Sequence, residues 1–79
     1  MNEWLSERAD VLAQAAGVER DTLDLDEAQI EALLDIAGFA AHDSGARTNA
    51  PLLCYLLGRV QAGGASFEEL AQAVRTSSS

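Results

Sequence analysis

The residues of this chain best suited to chemistry lie together between positions 42 and 51, in the run His42-Asp43-Ser44-Gly45-Ala46-Arg47-Thr48-Asn49-Ala50-Pro51. That run holds the only histidine and a central arginine among hydroxyl and amide side chains. It leads into an apolar segment opened by proline, and the free N–H groups at the start of a helix attract anions. His42, Arg47, Thr48 and Asn49 are therefore the candidate ligand- or partner-binding residues. One reading is a small anionic or nucleotide-like ligand held by His42, Arg47 and the helix start. The other is a helix boundary, with His42 stabilising a C-terminus and Arg47 satisfying carbonyls or pairing with a carboxylate. The residue types fit both.

No catalytic residue is assigned. Ser44, His42 and Asp43 make a triad only on paper, because neighbours on one turn seldom converge and no oxyanion hole accompanies them. No metal ligands are assigned either. Asp21, Asp24 and Asp26 alternate but lack the downstream glycine and bidentate glutamate of an EF-hand loop. They read as a solvated connector ending in a helix cap. Cys54 sits in the most apolar segment, where a thiol acts as a small core hydrophobe. Trp4 and Tyr55 read as core or half-buried anchors that can also face a partner. No cofactor is implied.

Composition narrows the classes further. Thirteen acidic against five basic side chains, all arginine, give a net charge of −8 in 79 residues. Phosphate backbones and anionic membrane surfaces both require clustered cations, so neither nucleic acid nor membrane is an expected partner. The acids Glu3, Glu7, Asp10, Glu31, Asp35, Glu68 and Glu69 read as wet helix faces that can steer a basic partner. A single cysteine excludes an internal disulfide and a multi-cysteine zinc site. The start lacks the basic and apolar regions of an export signal, and Ala50–Leu57 is too short to span a bilayer. A cytoplasmic location is the expectation.

The elements that must position these residues are all helical, because no stretch alternates with period two. The spacing predicts a first helix over 3–16, capped by Asn2 and stopped by Gly17, with Leu5, Ala9, Leu12 and Ala16 on one stripe. Residues 18–25 form a connector that tucks Val18, Leu23 and Leu25 inward. Asp26 with Gln29 makes a capping box, and Leu25 with Ile30 a hydrophobic staple, for a second helix over 27–42. The third helix starts at Pro51, whose missing N–H has no partner in the first turn, with Thr48 or Asn49 as cap. Its run from Leu52 to Val60 leaves almost no polar face, as in a centrally buried helix, and it stops at Gly63-Gly64. Ser66 with Glu69 opens a fourth helix bearing Phe67, Leu70, Ala71 and Val74.

The expected fold is all-α: a compact four-helix bundle-like domain over 1–75 with helix 3 central, and a frayed tail over 76–79. Gly38 and Gly58 fall inside helices, where glycine costs about 1 kcal/mol relative to alanine. The expectation is that each is a notch receiving a larger side chain from the neighbouring helix. A helix apolar nearly all round also leaves room for a homodimer covering its remaining face.

Two resemblances bear on function. Val11–Asp26 looks like the first helix and loop of acyl carrier proteins, which attach their prosthetic arm to an Asp-Ser-Leu serine at the start of the second helix. Here Asp43-Ser44 ends the second helix and Gly45 follows, so the attachment site is missing. Residues 30–62 resemble a family of small bacterial helical domains of unknown function. Its pattern is Ala-His, four residues, Arg, three residues, Pro-Leu, then an aromatic residue and Leu-x-Gly. Ala41-His42, Arg47, Pro51-Leu52, Tyr55 and Leu56-Leu57-Gly58 fit it. Members stand alone or are appended to domains like molybdenum-cofactor guanylyltransferases. The resemblance implies a non-enzymatic accessory or protein-interaction domain, with a nucleotidyltransferase-like enzyme as its partner.

Overall fold

Three of the four α-helices begin where a short polar side chain bonds an orphaned N–H of the first turn, and two end at a glycine that turns left-handed. A computed structural model describes residues 1–77 of the chain. Its order is α1 (Glu3–Ala16), a short 3-10 helix (Arg20–Leu23), α2 (Glu27–Ser44), α3 (Asn49–Gln61) and α4 (Phe67–Thr76). The fold is all-α, with no strand among the described residues. The chain divides into two compact units, Met1–Glu31 and the residues from Ala32 onward.

In the first unit Asn2 caps α1 by accepting from the Leu5 N–H at 2.8 Å, and Gly17 closes it with φ of 69°. The connector folds back so that the 3-10 helix packs on α1. The buried residues of α1 are Ala9 and Ala13, one turn apart. This corrects the expected stripe. Leu12 is exposed while the two alanines are covered, because small side chains allow the closest approach of another backbone. Leu23 and Leu25 are half-buried as expected, but Val18 is exposed. Arg20 fastens the connector: Nε donates to Asp10 Oδ1 at 2.6 Å and Nη1 to Asp24 Oδ1 at 2.8 Å. Asp26 and Gln29 form the reciprocal capping box, each side chain accepting from the other's N–H at 2.8 and 2.9 Å.

In the second unit Ile36 and Ala40 of α2 and Leu57 of α3 are buried, with Ile36 fully enclosed. α2 runs two residues beyond the expected end, to Ser44, and stops at Gly45 with φ of 74°. α3 starts at Asn49, which puts Pro51 third in the helix rather than first. α4 packs on α3, its Phe67, Leu70, Ala71 and Val74 are half-buried, and its cap Ser66 accepts from Glu69 N–H at 3.2 Å. Thr76, expected in a frayed tail over 76–79, belongs to α4, and Ser77 is its C-terminal cap; Ser78 and Ser79 lie outside the described residues.

Two packing expectations are corrected. α3 is not buried on nearly all sides: Leu57 is covered, Leu53 and Cys54 are half-buried, and Leu52, Tyr55, Leu56 and Val60 face outward. The glycines are not notches, since a Cβ added at Gly38 or Gly58 would meet nothing within 4 Å. Apolar composition marks residues that gain by being covered, but it does not say whether this chain alone supplies the cover.

Candidate functional site

The stretch from 42 to 51 is less a loop than a joint. His42, Asp43 and Ser44 complete the last turn of α2, and Asn49, Ala50 and Pro51 form the first turn of α3. Only four residues separate the helices, Gly45 to Thr48. Gly45 supplies the left-handed turn, its N–H donating to the Ala41 carbonyl at 3.1 Å. Ser44 Oγ accepts from the Ala46 N–H at 3.2 Å. The N–H groups of Asn49 and Ala50 then donate to the carbonyls of Ala46 and Arg47, which starts α3 with tight three-residue closures.

Within this joint His42, Arg47, Thr48 and Asn49 are all exposed. None of the four side chains makes a hydrogen bond or ion pair among the described residues. His42 stands in the last turn of α2, where a cationic imidazolium would meet the negative end of the helix dipole. Thr48 occupies the cap position of α3 without a side-chain bond to the helix, and Asn49 is already helical. The four are brought together by sequence and by one short turn, not by a closed cleft.

Other chemistry-bearing residues fall elsewhere. Cys54 is half-buried, and loss of hydration pushes its thiol above the ordinary value of 9.0, so it is held protonated. Among the described residues no group of three or more metal-ligating side chains forms. An open cleft of about 560 Å³ lies in the first unit, lined by Met1, Asn2, Glu27, Ile30 and Glu31. Its two carboxylates make it unsuited to an anion. Trp4 and Tyr55, read as core or half-buried, are exposed and carry arginines on their faces: Arg8 stands 5.2 Å from the Trp4 ring centre and Arg59 5.8 Å from that of Tyr55. The seven acids expected on wet helix faces are all exposed.

The sequence reading passed over Arg20, which holds more side-chain bonds than any residue of the 42–51 stretch. The signal was present in Arg20 and Asp24 four apart, with Asp10 one helix upstream. No helix among the described residues is long and apolar enough to cross a membrane.

The chain belongs to the family described as a domain of unknown function (DUF6457), whose model matches residues 1–79. Among curated proteins and among solved structures, no match is found.

Proposed function

We propose, with that membership as the premise, that the chain is a non-enzymatic accessory domain that binds another protein. The observation carrying this reading is the exposure of large apolar side chains on so short a chain. Trp4, Val11, Leu12, Leu34, Leu52 and Tyr55 are each more than 60% exposed. Where such side chains adjoin, as Leu52, Tyr55 and Leu56 do within one turn of α3, they mark a site of association. The exposed joint from His42 to Pro51 and the acidic helix faces supply the polar rim that such interfaces carry.

The partner we propose is a nucleotidyltransferase-like enzyme related to molybdenum-cofactor guanylyltransferases. The Ala-His, Arg, Pro-Leu and Leu-x-Gly pattern supports it, through the bacterial domains that share the pattern and the company they keep. On the same reading the chain acts in a bacterial cytoplasm. The test is co-elution of the purified chain with such an enzyme. Binding that weakens with an Arg47→Ala, Asn49→Ala double substitution, and weakens as salt rises, supports the reading. Separate elution under all conditions overturns the assignment of that partner.

A second reading is binding of an anionic or nucleotide-like ligand at the same joint. The favouring observation is that Arg47, exposed and without an ion pair among the described residues, stands just ahead of the start of α3. It predicts that phosphate or a nucleotide raises the melting temperature by mass action and that Arg47→Ala removes the rise. An acyl-carrier role is the weakest reading, because Asp43-Ser44 closes α2 rather than opening a helix.

A further inference from the structure

We propose that the outward face of α3 is a two-fold interface on which a second copy of this chain docks in antiparallel fashion. The proposal rests on the interaction-domain reading and commits one of the exposed apolar faces to self-association.

Three features of α3 lead there. The first is its geometry. At 100° per residue, Leu52, Tyr55, Leu56, Arg59 and Val60 share one arc, and Leu53, Cys54 and Leu57 share a second arc that begins beside Val60. Every residue of the first arc is exposed, and every residue of the second is buried or half-buried. The helix is thus apolar on two sides and covered on one.

The second feature is charge. On a chain of net charge −8, α3 carries no carboxylate, and its single charge is Arg59, stacked on Tyr55. A basic partner finds nothing to pair with there. A second acidic copy finds a face where the two chains meet without opposing their carboxylates. The exposed apolar side chains of α1 lack this property, because Glu3, Glu7 and Asp10 border them.

The third feature is register. Leu52, Leu56 and Val60 repeat every four residues and are centred on Leu56. About a two-fold axis through Leu56, Leu52 meets Val60 of the partner subunit, and Leu56 meets the partner subunit's Leu56. The pattern is self-complementary, as an isologous interface requires. The two Arg59 side chains are set on opposite sides of the axis, about 9 Å apart along the helices at 1.5 Å per residue. With its aromatic ring and three aliphatic side chains at least half exposed, the face offers roughly 400–500 Å² per copy. Doubled, and with flanking atoms added, this reaches the ~1,000 Å² that a specific interface needs.

The test is sedimentation equilibrium of the full chain across the micromolar to sub-millimolar range. The expected mass rises from 8.3 kDa to twice that value. Leu56→Glu should hold the mass at that of the monomer, while Leu12→Glu on α1 leaves the dimer intact. Both side chains are exposed, and helical circular dichroism checks that each variant folds. Raising salt should tighten the dimer by screening two like-charged chains. A monomeric mass throughout, a trimer or tetramer, or a dimer broken by Leu12→Glu and not by Leu56→Glu would each overturn the proposal. A monomer that still captures a nucleotidyltransferase-like enzyme would remove the dimer and leave the interaction reading standing.

Discussion

At the residue scale, two side chains have consequences that can be measured. Arg20 ties Asp10 of α1 to Asp24 of the connector, and it also reaches the Ser6 carbonyl at 3.4 Å. Arg20→Ala should therefore lower amide-exchange protection at Thr22 and Asp24, whose N–H groups hold the 3-10 turn, without reducing overall helix content. The half-buried Cys54 thiol is raised by desolvation alone, which favours its neutral form in the folded state. The unfolded chain then loses this proton first as pH rises. Folding stability should fall above the ordinary thiol value of 9.0 and go on falling until the folded thiol ionises as well. Cys54→Ala should flatten that part of the pH–stability curve. Alkylation of the native thiol at mildly alkaline pH should be slower than in denaturant, because the thiolate is the nucleophile.

At the element scale, the helices are held by local devices whose worth is known in general terms. Asp26→Ala removes the carboxylate that accepts from the Gln29 N–H while keeping the backbone N–H that donates to Gln29, and should cost about 1 kcal/mol, read from the denaturation midpoint. Gly38 and Gly58 lie in α2 and α3 with open space where a Cβ would stand. Neither has a positive φ. Each Gly→Ala change should thus stabilise the fold by roughly 0.5–1 kcal/mol, through a smaller loss of backbone entropy. Either change should raise the melting temperature by a few degrees, given about 4–8 °C per kcal/mol for a chain of this size.

For the whole molecule, the governing fact is how little this chain encloses. Ala9, Ala13, Ile36, Ala40 and Leu57 are its buried apolar residues, three of them alanine. A core of small side chains contributes only a few kcal/mol. Association through α3 would add to that, so stability should depend on concentration. The melting temperature is expected to rise with protein concentration, and Leu56→Glu should abolish the dependence.

Much of the fold was legible in the sequence because helix boundaries are decided locally. Asn2, Gly17, the Asp26–Gln29 pair and Ser66 act on N–H and C=O groups within four residues, and they do so in the structure. The residues of the joint were legible for the same reason, since chain order alone puts His42 at one helix end and Asn49 at the next. What escaped was burial. Leu12, Leu52 and Leu56 have the side chains of a core and stand exposed, while Ala9 and Ala13 are covered. Periodicity fixes which residues share a face of a helix; only tertiary contacts decide which face is covered, because covering needs a second surface supplied from elsewhere along the chain. The sequence by itself determined four helices and most of their limits, though not the end of α2 or the start of α3, and the tertiary structure decided that an apolar face of α3 is exposed.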